Sequence, residues 1–290
     1  MSAGIKETIE KIKIEPDSGN IIIDENVFVN CMLRHKSELN QWLYSVLHTG
    51  NINFSAANIF NQSTDLNGLI RDAVPDSKIR IPISGNNHTE ENIVTYSGIR
   101  FALDEDDKQN GCLSLSCHRP NLTPGFYMFV NATTPHGTET KRFYIGARDY
   151  NYAIRTWSEG VKNLLDKKIE FSAKVLSNIL SYPRNDSAVF YCGKENSELV
   201  RSSLLNIVRN VREENPAKGS FFCRKIFENL TEADQPVQNG GLKQSFGEHR
   251  CACIADALQD TFSTGLPFES MLEYRLKQYG IDKNDFSKNI

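Results

Sequence analysis

Apolar residues recur at helical spacing over the first quarter of the chain, at period two over the next stretch, and in alternating blocks of both kinds after that. Ile5, Ile9 and Ile12 mark a short amphipathic helix, and Gly19 precedes the apolar run Ile21-Ile22-Ile23. Leu39, Leu43, Val46 and Leu47 mark a second helix, with Ser37 as its cap and Gly50 as its stop. A polar, Asn-rich stretch from Asn51 to Asn67 leads to a helical piece around Leu69 and Ile70. From Lys78 the period becomes two. Ile79-Arg80-Ile81, Ile93 to Tyr96, Cys112 to Leu115, Phe126 to Val130 and Lys141 to Ile145 read as strands. Gly125, Gly137, Gly146, Pro120, Pro124 and Pro135 punctuate them, which suggests an antiparallel meander. The acidic insert Asp104 to Asp107 reads as a solvated hairpin tip.

The second half alternates. Tyr150, Ile154, Trp157, Val161, Leu164 and Leu165 share a helical face. Phe171, Ala173 and Val175 alternate with Ser172, Lys174 and Leu176, the pattern of a half-buried strand. Ala188 to Cys192 reads as a strand, and Val200, Leu204, Ile207, Val208 and Val211 as a helix. The turn Asn239-Gly240-Gly241 precedes a last helix, whose apolar face is Cys251, Ile254, Ala255, Leu258 and Phe262. These elements predict an α+β fold, a mainly antiparallel sheet flanked by helices. Residues 1–75 form a mainly helical segment packed on a main body of residues 76–290.

Composition narrows the class. The net charge of −3 over 290 residues argues against bulk nucleic-acid binding. No apolar run reaches membrane-spanning length, and Met1 to Ile14 is charged and carries no signal-peptide core. These features predict no nucleic-acid and no membrane partner, and a cytoplasmic location. The seven cysteines lack the paired spacing of a disulfide framework or zinc site. Cys251 and Cys253 point to different helix faces, and Cys112, Cys117 and His118 lack a nearby fourth ligand. Reduced, buried thiols and no metal are the expectation.

The stretch Ser245 to Arg250 opens the last helix with a capping box, Ser245 as N-cap and Glu248 three residues on. His249 and Arg250 then lie near a helix N-terminus, the end that favours anions. That placement fits phosphate or carboxylate chemistry; it also fits a capped helix with two surface polar residues.

With its elements placed, the chain resembles the HopA family of type III secreted effectors. The same domain serves as the lyase component in maturation of class V lanthipeptides and related thioamide peptides. The resembling segments are Leu39 to Gly50, Pro124 to Tyr127, Arg142-Phe143-Tyr144, Phe171 to Leu176, Arg184-Asn185-Asp186 with Val189-Phe190-Tyr191, and Ser245 to Arg250. Each is short, but all fall in family order across most of the chain. Where family members often carry Phe-Thr-Lys, this chain has Phe222-Cys223-Arg224.

The resemblance implies elimination of phosphate from phosphoserine or phosphothreonine in a peptide, leaving a dehydroamino acid, with no cofactor. It also implies a phosphorylated peptide or protein as substrate, and a peptide kinase and cyclase as pathway partners. A base must take the Cα proton, an acid or cation must help phosphate leave, and cations must hold its oxygens. Lys174 is the candidate base, mid-strand opposite the Phe171, Ala173, Val175 face, and His249 the candidate acid. Arg250, Arg142, Arg224 and Tyr144 are candidates to bind the phosphate. His118-Arg119 is a further basic pair at a strand end. The alternative is an effector-like protein, secreted into host cells by a type III system, that binds a host or partner protein without this chemistry.

Overall fold

The computed structural model describes residues 3–52, 64–83, 88–90, 93–96, 99–133, 139–213, 216–237 and 244–290. The predicted Asn239-Gly240-Gly241 turn, Pro135, Gly137 and most of the Asn-rich stretch lie outside the described residues. In chain order the first elements are α1 (Ile5–Lys11), β1 (Ile12–Glu15), β2 (Asn20–Ile23), β3 (Asn26–Phe28), α2 (Lys36–Leu43) and α3 (Asn67–Asp72). Strands β4 (Lys78–Pro82), β5 (His88–Glu90), β6 (Ile93–Tyr96) and β7 (Ile99–Ala102) follow. Next come α4 (Glu105–Asn110), β8 (Cys112–Ser116), β9 (His118–Thr123), β10 (Phe126–Asn131) and β11 (Thr140–Ala147). The chain closes with α5 (Tyr150–Asp166), β12 (Phe171–Leu176), β13 (Arg184–Gly193), α6 (Ser197–Asn210), β14 (Arg224–Lys225), β15 (Leu230–Asp234), α7 (Phe246–Thr264) and α8 (Phe268–Gln278).

The centre is a seven-stranded antiparallel sheet in the order β14-β15-β11-β13-β12-β10-β9, so the fold is α+β. It is not a simple meander. The β12–β13 hairpin inserts between β10 and β11, so strands adjacent in sequence are separated in the sheet.

Each face of the sheet carries its own apolar core. On one, Phe129, Phe143, Phe171, Ala173, Val175 and Phe190 meet Trp157 and Val161 of α5 and Leu204 of α6. On the other, Tyr144, Val189 and Ala233 meet Leu39 and Leu43 of α2, Phe246 and Ile254 of α7, and Leu272 of α8. Full burial of such a side chain is worth roughly 1.5–3 kcal/mol, which is why both helix layers stay docked. Period two places the two sets on opposite sides of every strand.

Three local expectations change. The segment read as mainly helical contains the three-stranded β1-β2-β3 sheet, in which Ile21 and Ile23 are buried and Ile22 less so. β-Branched residues with that alternation favour a strand. The cap of α2 is His35, whose imidazole accepts from the Ser37 backbone N–H, with Glu38 completing a capping box. The acidic insert is a short helix, not a solvated tip: Asp104 caps it, and the buried Asp107 carboxylate accepts from the Ser114 backbone N–H at 2.9 Å. The capping box Ser245–Glu248 forms as expected.

Candidate functional site

Register decides which side chains share a face. Lys174 on β12 lies opposite Met128 on β10 and Val189 on β13; Met128 lies opposite Arg119, and Val189 opposite Tyr144. In the neighbouring row Ser172 faces Tyr191, which faces Arg142. Arg119, Lys174, Tyr144 and Arg142 therefore occupy one face, which α2, the turn after it and α7 cover from the β15 side as far as Val189 of β13. The β12 end is half-open, and Lys174, Ser172, Met128 and Tyr191 are partly exposed.

The Lys174 ammonium stands 3.9 Å from the centroid of the Phe126 ring, a cation–π contact. It makes no hydrogen bond or ion pair among the described residues. Arg142 is 8 % exposed; its Nε donates to Gln235 Oε1 at 2.8 Å, and its guanidinium lies 5.1 Å from the Tyr191 ring centroid. No carboxylate pairs with it among the described residues. The Tyr144 hydroxyl is buried beside the Arg142 guanidinium, its nearest polar neighbour, without a well-aligned hydrogen bond among the described residues. Burial raises its pKa well above the usual phenol value.

Beneath these groups lies a cluster that the sequence did not single out. The register of β11 on β13 shifts between Ile145 and Ala147, and such an irregularity re-aims side chains. Arg184 and Asp186 form a buried bidentate pair, both bonds 2.8 Å, and the Arg184 guanidinium reaches to 5.6 Å from the Phe126 ring centroid. His48 comes to 3.7 Å from Asp186 and hydrogen-bonds Ser220 Oγ through Nδ1 at 2.8 Å. Burial alone would raise the Asp186 carboxyl, but Arg184 overrides it and holds the pKa at about 2. Burial pushes His48 down to about 4, Asp186 offsetting only part of this. A neutral imidazole with its Nε2 proton toward Asp186 leaves Nδ1 to accept from the Ser220 hydroxyl. Ser220, His48 and Asp186 have the composition of a nucleophile relay, but Asp186 is committed to Arg184 and so weak a base would activate Ser220 poorly.

Local geometry builds this cluster. After Leu43, helix α2 widens into a π-helical turn, Tyr44–Thr49, which carries His48 to the sheet and ends at Gly50 with φ +68°. π-Turns recur at functional positions. Gly247 leaves room for His48: a Cβ there would lie 2.3 Å from His48 Cδ2 and 2.6 Å from Tyr44 Cε2. Asn185 donates to the His48 carbonyl at 3.2 Å. The segments Leu39–Gly50, Pro124–Tyr127, Arg142–Tyr144, Phe171–Leu176, Arg184–Asp186 and Ser245–Arg250 thus converge in space. Their shared membership in the resembling set was the signal by which His48, Arg184 and Asp186 could have been found.

The other candidates are placed elsewhere. Arg224 pairs in register with Glu232, and Glu232 with Phe143, so Arg224 points to the α5–α6 side. There the buried Glu232 binds both Arg224 and Arg201. Arg250, 1 % exposed, donates to the Phe286 and Lys288 carbonyls and to Asn289 Oδ1, all within 3.1 Å. It locks the segment Phe286–Asn289 instead of facing an open cleft, and burial lowers its pKa to about 10. His249 accepts from Arg250 through Nδ1 at 2.8 Å and packs edge-on against Tyr279. Burial, then the Arg250 charge, lowers its pKa to about 4. His118 hydrogen-bonds Tyr127 on the α5 side, while Arg119 beside it faces Lys174's side. No cluster of three or more His, Cys, Asp or Glu residues able to hold a metal occurs among the described residues. The seven cysteines are free thiols. No described helix is long and apolar enough to cross a membrane.

Comparison with known proteins agrees with the resemblance. The model of the HopA1 effector protein family matches residues 117–287, more than half of the chain. Among solved structures, an effector protein from Pseudomonas syringae pv. syringae strain 61 is 17 % identical, with a TM-score of 0.46, over 99 % of this chain and 90 % of that one. An effector protein from Pseudomonas syringae pv. tomato strain DC3000 is 16 % identical, with a TM-score of 0.44, over 88 % of this chain and 97 % of that one. A search of curated proteins returns no match.

Proposed function

The chain belongs to the HopA1 effector protein family, and from that premise we propose that it is a phosphoserine or phosphothreonine lyase acting on a phosphorylated peptide. The observation that carries the reading is Arg142, a buried guanidinium without a carboxylate partner among the described residues, beside the buried Tyr144 hydroxyl and on the same face as the Lys174 ammonium, whose contact among those residues is the Phe126 ring. A buried charge without a counter-ion is costly, and an incoming phosphate dianion removes that cost.

In this reading Arg142 binds the phosphate oxygens and Arg119, two strands from Lys174 on the same face, attracts the acidic peptide. Lys174 in its amine form takes the Cα proton. The Cα–H electrons become the Cα=Cβ double bond, the Cβ–O bond breaks, and inorganic phosphate leaves with its charge held by the guanidinium. The pair Arg184–Asp186 and His48 fix the floor under Lys174 and Phe126. Arg250 acts at one remove, through the segment it locks; His249 and Arg224 have no part in the contact. A peptide kinase would supply the substrate and a cyclase would consume the dehydroamino acid, in the bacterial cytoplasm.

The test is mass spectrometry of a phosphoserine or phosphothreonine peptide incubated with the protein. Loss of phosphoric acid from the peptide supports the reading. Free phosphate with a regenerated hydroxyl, or an unchanged peptide across a panel of acidic precursor sequences, sinks it.

A second reading, an effector that binds a host protein without chemistry, draws on an exposed apolar run: Val29 is 58 % exposed, Met32 63 % and Leu33 81 %. A patch of that kind on a folded protein suits protein contact. This reading would place the chain in a host cell after type III secretion.

A further inference from the structure

Gln235 stands where a carboxylate would be expected. Arg142 is buried, and its Nε is held at 2.8 Å by a side-chain oxygen, yet that oxygen belongs to a neutral amide. An acid at this position would give a stronger, charge-assisted bond and would neutralise the guanidinium. The amide fixes the same geometry and leaves the positive charge intact.

The Gln235 backbone is itself held at both its polar groups. Its N–H donates to the Thr140 carbonyl at 2.9 Å, and its carbonyl accepts from Asn289 Nδ2 at 2.7 Å. The Asn289 Oδ1 accepts from Arg250 Nη2 at 3.0 Å, and the neighbouring Asp234 N–H donates to the Ser287 carbonyl at 2.8 Å. One hydrogen-bonded line therefore runs from Arg250 through Asn289 and Gln235 to Arg142.

We propose that Gln235 is a positioning residue that fixes Arg142 for a phosphate-class dianion while leaving its charge unneutralised, and that Asn289, locked by Arg250, holds Gln235 in place. The inference rests on the lyase reading for the anion's role, but it concerns binding and is tested by binding. Gln235→Glu would keep the oxygen that receives Arg142 and add the missing negative charge. A tighter ion pair and a repelled ligand are the two consequences. Asn289→Ala would loosen Gln235 without touching the charge.

The experiment is calorimetric titration of the full chain with inorganic phosphate and with a phosphoserine peptide, paired with thermal melting. Gln235→Glu is expected to melt at or above the temperature of the natural chain and to bind both ligands at least tenfold more weakly. Asn289→Ala is expected to weaken binding two- to fivefold, and Gln235→Asn, which keeps a neutral amide oxygen, to stay closer to the natural affinity than Gln235→Glu. A stable Gln235→Glu protein with undiminished affinity overturns the inference, as does a natural chain that binds neither ligand. Phosphopeptide binding by the natural chain without elimination would remove the lyase reading and leave this one standing. Preference for the phosphopeptide over inorganic phosphate assigns the dianion to a peptide ester; equal affinity assigns it to the free ion.

Discussion

The two faces of the central sheet treat their buried charges differently. On the α5–α6 side the charged and titratable groups close on one another: His118 bonds the Tyr127 hydroxyl at 2.6 Å, and Glu232 sits between Arg201 and Arg224, while the Trp157 Nε1 is left without a partner among the described residues. On the α2–α7 side Arg184 is closed by Asp186 and Arg250 by the Phe286–Asn289 segment, while a row of groups between them is less fully matched. Among the described residues Lys174 contacts an aromatic ring, and Arg142 meets a neutral amide, a ring and the Tyr144 hydroxyl, with no carboxylate beside either cation. A fold gains nothing in stability from leaving such groups unmatched. Both faces carry an apolar core, and the unneutralised cations of the α2–α7 face are where a bound anion would relieve a cost that the fold leaves standing.

If that contrast is right, the largest loss of stability belongs to the α5–α6 face. Trp157 is fully buried against the sheet. Trp157→Ala is expected to cost about 3–5 kcal/mol, a large share of the roughly 5–15 kcal/mol by which folded chains are ordinarily stable. Denaturant titration checks it, and a loss below about 1 kcal/mol would show that the α5 layer is not the principal core.

The next largest effect falls on the buried ion pair of the α2–α7 face. Asp186→Ala leaves Arg184 buried without a counter-charge, and breaking such a pair costs about 3 kcal/mol or more. Replacing both partners, Arg184→Met with Asp186→Leu, is expected to recover much of the loss. A double variant as unstable as the single one would mean that the pair is needed for shape and not for charge balance.

Acid separates the faces more gently. His48 and His249, both on the α2–α7 side, titrate near 4 in the folded chain, below the ordinary histidine value of about 6.5. The unfolded chain takes up these protons first. Stability is therefore flat above pH 7 and falls as the pH drops from about 6.5 towards 4, by a few kcal/mol in all. Melting curves across that window check the slope, and His48→Gln is expected to flatten it. An unchanged slope in that variant would place the acid sensitivity elsewhere.

How far the sequence foretold this division depends on what each feature needs. The alternation Phe171, Ala173, Val175 against Ser172 and Lys174 sets β12 on its two faces from local pattern alone, and the structure places Lys174 accordingly. The capping box at Ser245 is likewise local. Arg224 was not legible, because a two-residue strand has no period and its side is set only by its register with Glu232. Nor was the direction of Arg250, whose partners lie 36 to 39 residues further on. His48 reaches Asp186 only through a π-turn, a bulge in β13 and the absence of a side chain at Gly247, and none of these writes a periodic signature. The missed β1–β3 sheet is a different case. Its strands are three or four residues long, at most two periods of a strand pattern, which an apolar run such as Ile21-Ile22-Ile23 does not display.

The smallest effect on stability is expected at Lys174, and there the contrast is sharpest. Lys174→Met keeps most of the stem that packs on the sheet and removes an ammonium that makes no hydrogen bond among the described residues. Its cost is the cation–π contact with Phe126, so the change in stability should stay within about 1 kcal/mol. Phosphopeptide binding should weaken only a few-fold, because Arg142 and Arg119 remain. Elimination should fall by roughly 10²–10⁴, the factor typical of losing a proton-transfer group, because no other amine shares its row of the sheet before Lys225 on the far edge strand. Arg142→Ala should behave differently, weakening binding and turnover together, since it holds the phosphate in the ground state as well as in the transition state. A folded Lys174→Met protein that eliminates phosphate at the natural rate would end Lys174's claim to be the base, and the α2–α7 face would then be a surface for holding a phosphorylated partner and not for changing it.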